Sequence, residues 1–373
     1  MKRIVAVNGK KELGVFIDFP HELYKNDPNY VPELFIAQRD MLTPGKHPFY
    51  LHSSLQTFLA YDGDRVVGRI AAIQNNNHNQ VNNVKDGFFG FFDCINDQET
   101  AQLLLDKAAQ WLKERELETM VGPVNFSTND ICGLLIQGFD GPPLAMMAYN
   151  APYYLNLLET AGFNKKVDLR AYRFAAGNYN DRSAKLVSAL QERLTRSNII
   201  IRKINLKNFK QEAAALREVY NKAWDKNLGF VPMTDAEFDY TAKDLKMIMD
   251  PDFCLLAEQD GKIVGFALAV PDINQILIKI KRGRLFPTGL YKLLTQRKKI
   301  EGIRILLLGV VDGYRKMGIE ACLYGIIIQG FQKKKMKYAE ASWTLDHNDL
   351  INKPIEQIGG ELYRKYRILE KSI

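Results

Sequence analysis

The residues with the clearest chemical meaning lie near the C-terminal end of the chain, where an apolar run leads into a glycine-containing turn. The apolar run covers 303–311, the turn extends from Asp312 to Glu320, and a helical pattern begins there. Arg315 and Gly318 stand three residues apart inside the turn. A buried strand that ends in such a turn and opens a helix presents several backbone N–H groups at the positive end of the helix dipole. That arrangement binds a pyrophosphate, although a plain helix start, with Gly318 only permitting the turn, fits the same pattern.

A repeat inside the chain identifies the elements that must position this turn. Residues 58–71 and 255–267 each read as a strand, an Asp-Gly turn and a second strand, which is typical of a β-hairpin. Two pairs of glycines are separated by the same 197 positions, namely Gly68 and Gly265, and Gly162 and Gly359. Two independent landmarks with one offset indicate a tandem duplication.

The polar, turn-rich segment 175–180 separates the two copies. We therefore expect an N-terminal unit at 1–178 and a C-terminal unit at 179–373, the latter beginning with a helix over 183–195 and a strand over 198–204. Each unit would run strand, helices, hairpin, central strand, helix, strand, helix and closing strand. This order predicts an α/β (α+β) fold with mixed sheets rather than a helix bundle or a β-sandwich.

The second unit resembles the GCN5-related N-acetyltransferase (GNAT) superfamily. The family pattern Arg-x-x-Gly-x-Gly/Ala is met at Arg315 and Gly318, with Glu320 where a small residue is usual. Asn348, at the end of a predicted strand and eleven residues before Gly359, matches a further family feature. The resemblance implies two tandem GNAT-like units of the acyl-CoA N-acyltransferase fold.

The resemblance also implies where acetyl-CoA or another acyl-CoA would bind as the donor substrate. In the family the pantetheine pairs with the splayed end of the central strand, the turn binds the pyrophosphate, and the arginine adds charge. The donor-site candidates are Leu308, Val310, Arg315, Lys316, Met317, Gly318, Ile319, Glu320 and Asn348.

Acyl transfer to an amine needs a base that takes a proton and a donor for the developing oxyanion. A backbone N–H near Val310 can serve the oxyanion. The tyrosine that the family often carries four residues before the glycine is replaced by Ile355, and by Leu158 in the first half. The candidate bases, each expected on or just past a strand that lines the cleft and each also compatible with a surface or capping role, are Glu340, Asp272 and His347.

The first unit has no counterpart of the glycine-containing turn. Its central strand over 87–94 leads through Asn96 and Asp97, which suit a helix N-cap, directly into a helix. We therefore expect one donor site per chain, in the second unit. The first unit carries polar residues that are candidates either for an acceptor site between the units or for loop packing: Asn125, Ser127, Asn129, Tyr153 and Tyr154.

The composition narrows the class of protein. A length of 373 residues with 46% apolar residues is enough for two hydrophobic cores. No run of eighteen uncharged apolar residues and no signal-peptide pattern occurs, which predicts a cytoplasmic protein. The four cysteines lie far apart in apolar segments and the five histidines have no ligand spacing, so we expect neither a disulfide nor a metal site.

A basic segment lies between residues 273 and 300. It contains eight Lys or Arg residues and no acid, interleaved with apolar residues, in a chain whose net charge is +8. The basicity is local, which argues against specific nucleic-acid binding. The segment 279–299 is expected either to pack as an amphipathic surface on its own unit, or to bind an acidic carrier protein or an anionic membrane.

The sequence therefore predicts an N-acyltransferase that transfers an acyl group from acyl-CoA directly to an amine of a small-molecule or peptide acceptor. Two alternatives stay open. A tandem acyltransferase with an acyl-carrier or aminoacyl donor is favoured if the basic segment binds an acidic protein or RNA. A non-catalytic protein that binds CoA or another ligand is favoured by Glu320 and the missing tyrosine.

Overall fold

The computed structural model describes residues 1–176, 181–223 and 231–373 and, within them, all side chains except those of 181–186 and 222–223. The predicted boundary between 178 and 179 lies outside the described residues. The strands in these ranges are β1 Lys2–Ala6, β2 Ser54–Asp62, β3 Arg65–Gln74, β4 Asp86–Cys94, β5 Thr119–Gly122, β6 Leu134–Gln137, β7 Asn164–Ala175, β8 Ile199–Lys203, β9 Cys254–Gln259, β10 Lys262–Pro271, β11 Gly302–Val310, β12 Tyr338–Leu345 and β13 Glu361–Ser372.

The helices alternate with the strands, as the sequence predicts for an α/β fold. They are α1 Lys10–Leu23, α2 Phe35–Met41, α3 Asn76–Asn82, α4 Gln98–Lys113, α5 Tyr154–Thr160, α6 Asp181–Arg196, α7 Phe209–Ala223, α8 Asp235–Ile248, α9 Asn274–Leu277, α10 Gly289–Thr295, α11 Ile319–Lys333 and α12 Asp349–Gln357. The predicted mixed α/β fold is confirmed.

The repeat landmarks adopt the same backbone geometry in both halves. The hairpins β2–β3 and β9–β10 pair antiparallel across their Asp-Gly turns. Gly162 and Gly359 follow α5 and α12 with φ of 87° and 91°. In both places the next N–H returns to a carbonyl in the last turn, from Phe163 to Leu158 and from Gly360 to Ile355. A left-handed residue after a helix favours glycine, which explains both positions.

Within the described residues, the strands form one continuous mixed sheet. Its order is β1-β2-β3-β4-β5-β13-β7-β12-β11-β10-β9-β8, and β6 pairs with β13 beside this path. The pairs β4–β5 and β11–β12 are parallel. The sheet order therefore reads as two five-strand halves that meet at β7 and β13.

The closing strand of each half crosses to the other half. The strand β7 comes from the first half of the chain but pairs antiparallel with β12 of the second. The strand β13 comes from the second half but pairs antiparallel with β5 of the first. Because β7 and β13 also pair with each other along most of their length, the two halves share one sheet.

The hydrophobic cores follow this exchange. In α4 the buried residues recur every three or four positions, which places one apolar face of the helix on the sheet. The core beneath α4 includes Leu369 of β13, and a second core in the same half includes Tyr366 and Ile368. In the second half α11 packs on the sheet and on α6. The last strand of the chain therefore contributes to the cores of the first half.

Candidate functional site

The central strands of the second half separate partway along their length. The parallel pairing of β11 and β12 extends from Gly302 and Tyr338 to Ile305 and Ala341 and then stops. Beyond this point β11 stays paired with β10, with a register shift opposite Leu306, and β12 stays paired with β7. The strands thus enclose a V-shaped opening whose apex lies at Ile305. Leu308 and Val310, two donor-site candidates, lie on the β11 arm of this opening.

The predicted anion-binding turn follows the end of β11. Lys316 and Gly318 both have positive φ, of 69° and 93°, and Gly318 is the residue before the first turn of α11. The first N–H groups of a helix have no acceptor within the helix, so those that follow Gly318 are directed towards a ligand position. The Nε of Arg315 lies 3.4 Å from the carbonyl oxygen of Val310 and 3.2 Å from Asp312 Oδ1. Arg315 therefore ties the turn to the end of the strand.

Three of the remaining donor-site candidates belong to the same turn, and Asn348 belongs to another part of the fold. Met317 and Ile319 pack into the core beneath α11, Ile319 fully buried. Glu320 lies half-buried in the first turn of α11, where its charge competes with an anion for the helix N-terminus. Asn348 precedes α12 beyond the end of β12, and its carbonyl accepts the N–H groups of Ile351 and Asn352.

Three buried polar side chains and the partly buried Tyr363 form a cluster at the apex of the opening. Arg304 and Glu340 are directly paired on β11 and β12, one pair before the strands separate. Both are buried, with Arg304 Nε 3.7 Å from Glu340 Oε1. Ser342 accepts from Arg304 Nε at 2.8 Å and donates its hydroxyl to Glu340. The Tyr363 hydroxyl donates to the other carboxylate oxygen. This arrangement defines the apex cluster, which is Arg304, Glu340, Ser342 and Tyr363.

The electrostatics of the apex cluster follow from burial. Burial lowers the pKa of Arg304, and the neighbouring carboxylate of Glu340 opposes that effect. Arg304 also donates to the carbonyl oxygen of Ala145 at 2.9 Å, which belongs to the first half of the chain. Burial and the nearby Glu340 charge hold the pKa of Tyr363 well above its usual value. Both carboxylate oxygens of Glu340 thus accept a side-chain hydroxyl inside the protein, where water is excluded.

Asp272 lies on the wall of the same site. It is 3% exposed and follows β10 directly. Its carboxylate accepts from the Tyr338 hydroxyl at 2.7 Å and from the Ala145 N–H at 3.1 Å. Burial raises its pKa to about 6, and the charge of Glu340 acts in the same direction. Two of the three predicted bases therefore share one site.

A cavity of about 270 Å³ opens at these two acids. Its walls come from both halves of the chain, with Glu340, Asp272, Tyr338 and Tyr363 on one side and the segment 140–144 on the other. Both acids line the cavity, together with Asp140 and two arginines, Arg173 and Arg364. We refer to it as the acid cavity.

A second cavity of about 140 Å³ adjoins the acid cavity. Pro143 and Asn274 line both cavities. The second cavity extends into the first half, and its walls combine apolar and polar residues in similar measure. The apolar ones include Phe91, Phe92, Ile131, Met146, Met147 and Leu277, and the polar ones include Glu33, Gln38 and Asn125. A buried ion pair, Arg69 to Asp93 at 2.7 Å, also lines it. We refer to it, after its aromatic and methionine residues, as the apolar cavity.

His347, the third candidate base, is placed elsewhere. It is exposed in the turn after β12 and is not among the residues that line either cavity. A solvent-exposed turn offers no desolvation and no fixed partner for a base. The geometry therefore gives no support to a role for His347 at the acid cavity.

In the first half the corresponding opening is filled by the chain itself. The strands β4 and β5 pair only from Asp86 and Thr119 to Phe88 and Val121. Beyond this point the Val124 N–H donates to the Phe89 carbonyl at 2.8 Å, and Asn125 Oδ1 accepts the Phe91 N–H at 2.9 Å. A Cβ at Gly90 would lie 2.5 Å from the Val124 oxygen, so this loop packs directly on the strand. The loop therefore occupies the edge of β4 along which a donor arm would pair.

The other acceptor-site candidates divide into two groups. Asn129 does reach the second half, accepting from the Tyr220 hydroxyl at 2.7 Å and donating to the Val231 carbonyl at 3.0 Å. Ser127 shapes the same loop by donating to Asp130. For Tyr153 and Tyr154 the structure favours the packing alternative, because the Tyr153 hydroxyl donates to the Cys94 carbonyl and the Tyr154 hydroxyl accepts the Cys94 N–H inside the first half. These tyrosines hold the end of β4 and do not lie between the halves.

Several residues of the apex cluster escaped prediction. Arg304 could have been predicted from the sequence, because a charged residue inside an apolar strand needs a buried partner. Tyr363 could not have been predicted in this way, because its contact with Glu340 depends on how β13 crosses the sheet. Among the residues that the structure describes, no group of three His, Cys, Asp or Glu side chains is arranged to hold a metal. No helix in the described ranges is long and apolar enough to span a membrane.

Comparisons with known proteins agree with this architecture. No protein-family model matches the sequence. The chain is 35% identical to Protein YghO of Escherichia coli (strain K12), over 98% of this chain and 94% of the relative. It is 33% identical to a protein of Caulobacter vibrioides named bacterial ceramide synthase, over 99% of this chain and 97% of the relative.

Among solved structures, a tandem GNAT protein from the clavulanic acid biosynthesis pathway matches all of this chain and 98% of its own, with a TM-score of 0.59 and 10% identity. A GCN5-related N-acetyltransferase from Sphaerobacter thermophilus matches all of this chain and 95% of its own, with a TM-score of 0.54 and 13% identity. These likenesses confirm the predicted fold of two tandem GNAT-like units.

Proposed function

Because this chain belongs to the GNAT superfamily of acyltransferases, as a two-unit member related to a bacterial ceramide synthase, we propose that it acylates a long-chain amine with acyl-CoA as donor. The observation that carries the proposal is the position of Glu340. It lies at the apex of the V-shaped opening, one residue pair from the point where β11 and β12 separate. A donor arm that enters along the opening would end beside this carboxylate.

The donor site is supported by the turn that follows β11. The first-turn N–H groups of α11 and the left-handed Gly318 suit a phosphate. Lys316 is exposed at the same turn and adds positive charge. The half-buried Glu320 opposes anion binding. We therefore propose that the turn binds the pyrophosphate only weakly, and that the pantetheine and acyl arm of the donor supply most of its affinity.

The acceptor site is supported by the two cavities. The acid cavity offers Glu340 and Asp272 to an ammonium group, and the adjoining apolar cavity offers aromatic and methionine side chains to an aliphatic chain. A ceramide is by chemical definition an amide of a long-chain amino alcohol, and the Caulobacter vibrioides relative carries that name. An amine head followed by an apolar chain matches the order of the two cavities.

The proposed reaction is a direct transfer without a covalent enzyme intermediate. Glu340 accepts a proton from the bound ammonium, and the neutral amine attacks the thioester carbonyl. The carbon–sulfur bond then breaks, the attacking nitrogen gives its surplus proton to the leaving CoA thiolate, the neutral amide forms, and Glu340 releases its proton to solvent. The backbone N–H groups of β11 beyond Ile305, on the side that β12 leaves unpaired, supply the oxyanion donor. Cysteine chemistry is disfavoured, because burial raises the pKa of Cys254 to about 12 and of Cys322 to about 11.

Titration calorimetry with CoA, acetyl-CoA and long-chain acyl-CoAs tests the donor site. We expect tighter binding as the acyl chain lengthens. Lys316→Glu should weaken binding by roughly tenfold, because one favourable charge near the pyrophosphate becomes an unfavourable one. Lys333→Glu makes the same change at the opposite, exposed end of α11 and should leave the affinity unchanged. Absence of binding by any acyl-CoA to the folded protein contradicts the proposal.

Mass spectrometry tests the product. The purified protein is incubated with a long-chain acyl-CoA and sphinganine, which combines an amino alcohol head with an aliphatic chain. We expect the N-acyl amide and one free CoA per amide. If the amide forms only with an acyl-carrier protein as donor, the donor is a carrier-bound acyl group and not acyl-CoA. If the same amide forms in buffer without enzyme, the protein does not catalyse the reaction.

A further inference from the structure

The basic segment forms a distinct surface that the acyl-transfer proposal does not use. It includes α9, α10 and the loops around them, from 273 to 300. Two of its eight cations are paired with acids of α1 in the first half: Arg284 with Asp18 at 2.7 Å and Arg282 with Glu22 at 3.2 Å. In the described part of the chain the other six have no carboxylate partner: Lys279, Lys281, Lys292, Arg297, Lys298 and Lys299.

This segment is held firmly against the body of the protein. Ile276, Ile280 and Ile300 form a small buried core under it. Arg284 stacks on the ring of Phe35 at 3.4 Å. Gly283, with φ of 61°, lies against the Glu33 backbone so closely that a Cβ would be 1.8 Å from its oxygen. The segment thus packs on the first half as well as its own, which corrects the expectation that it packs on its own unit alone.

The outward face of the segment is apolar as well as basic. Phe286 is 76% exposed, and Tyr291 and Leu294 are each 70% exposed. On α10, Leu290, Tyr291 and Leu294 fall within one third of the helix circumference, while Leu293 packs inward on the small core. Large apolar side chains are seldom grouped on a water-facing surface without a partner.

We propose that this face, the 279–299 surface, docks the protein on an anionic lipid bilayer. Unpaired lysines and arginines are attracted to a negative lipid surface, and exposed aromatic and aliphatic side chains enter the layer between the headgroups and the acyl chains. An acidic carrier protein would satisfy the charges. A carrier protein would not offer Phe286 and Leu294 a low-dielectric layer. The combination of unpaired cations with exposed apolar side chains therefore favours a lipid surface.

The position of the surface gives the docking a consequence for the acceptor, and this part rests on the proposed function. The surface is continuous with α9, whose Gln275 and the adjoining Ile278 line the acid cavity, while Leu277 lines the apolar cavity. Docking would bring both cavity walls close to the lipid. A membrane-resident amine could then pass from the bilayer into the apolar cavity without crossing water.

Flotation with vesicles tests the docking in the absence of donor and acceptor. We expect binding to phosphatidylcholine vesicles that contain phosphatidylglycerol, with weaker binding at high salt, and little binding to phosphatidylcholine alone. Phe286→Ser with Leu294→Ser should reduce partitioning by about tenfold or more for each side chain. The matched control is Met247→Ser with Leu350→Ser, two side chains that are 63% and 89% exposed elsewhere, and it should behave like the unchanged protein.

A charge series separates lipid from other partners. Lys298→Gln with Lys299→Gln should weaken partitioning about 25-fold, because each cation near an anionic surface contributes roughly a fivefold factor. Lys113→Gln with Lys333→Gln should leave it unchanged. Equal binding to neutral and anionic vesicles, equal loss in the controls, or failure to bind any vesicle overturns the proposal. Amide formation from soluble substrates is measured separately, so a failure of docking and a failure of acyl transfer are told apart.

Discussion

At the scale of single residues, the apex cluster concentrates charge where a sheet normally buries apolar side chains. Arg304 and Glu340 are 4% and 0% exposed. Removing each of the two charges from water costs several kcal/mol. Replacing one partner of such a pair leaves the other charge buried without a partner. The contacts from Ser342, Tyr363 and the Ala145 carbonyl offset that cost by satisfying both groups. We propose that this buried carboxylate is retained at the apex for chemistry rather than for stability.

Glu340→Gln tests that interpretation. We expect the turnover number for amide formation to fall by about 100-fold or more, because the amide cannot accept the proton. The affinity for acyl-CoA should change much less than the turnover number, since the carboxamide has the size of the carboxylate and the turn after β11 is unchanged. Glu361→Gln, at the exposed start of β13, is the matched control. Unchanged turnover in Glu340→Gln would exclude Glu340 as the base.

Asp272→Asn tests the burial of the second acid through the pH dependence of stability. The pKa of Asp272 is raised from its usual 3.8 to about 6. Its contribution to stability is therefore fully present below pH 3.8 and is lost as the pH rises through 6. Between pH 4 and pH 7 the variant should gain about 2 kcal/mol of unfolding free energy relative to the unchanged protein. Urea denaturation at both pH values measures this, and a difference independent of pH would contradict it.

At the scale of elements, the two halves build the same parallel strand pair and use it differently. In the second half β11 and β12 separate and stay apart. In the first half Asn125 closes the opening by accepting the Phe91 N–H. The sequence predicted a single donor site from the missing glycine turn alone. The structure adds a second and independent reason, because the opening itself is occupied.

Asn125→Ala should expose the cost of that closure. The Phe91 N–H would lose its acceptor in a buried strand, which destabilises the fold by about 1–3 kcal/mol. In the control Asn205→Ala, the lost hydrogen bond is of the same type, because Asn205 Oδ1 accepts the Lys207 N–H at an exposed turn. This change should lower the free energy of unfolding by less than about 1 kcal/mol. Denaturant unfolding compares the two variants. An equal loss of unfolding free energy in both variants would show that the Asn125 hydrogen bond contributes no more to stability than an exposed one. New binding of acyl-CoA to Asn125→Ala would show that this residue alone blocks a second site.

At the scale of the whole molecule, the exchange of β7 and β13 makes the halves interdependent. Leu369 of β13 is fully buried in the core beneath α4, more than 200 residues away along the chain. The acid cavity depends on the same exchange, because Tyr363 of β13 and the 140–144 segment of the first half both line it. Neither half contains a complete site by itself.

Leu369→Ala should therefore destabilise the first half through a residue of the second. A buried Leu→Ala change costs about 2–5 kcal/mol, and we expect one unfolding transition rather than two. Hydrogen exchange should show lost protection in β4 and β5. Leu350→Ala, at an 89% exposed position on α12, is the control and should cost less than about 0.5 kcal/mol. Two separate transitions, with only the second half affected, would contradict the interdependence.

The sequence by itself determined what depends on neighbouring residues. The two Asp-Gly hairpins, the glycines after α5 and α12 and the turn at Gly318 were all predicted, because each rests on backbone conformations that only certain residues adopt. The mixed α/β class followed from the order of those elements.

Only the tertiary structure decided what depends on distant pairing. The strands β7 and β13 have similar patterns, so nothing local tells which neighbour each will choose; that choice depends on the free energy of the whole sheet. It brings Arg304, Glu340 and Tyr363 together and moves Tyr153 and Tyr154 away from the site. The spacing of residues gave the position of the donor turn, and the crossing of two strands gave the acid cavity.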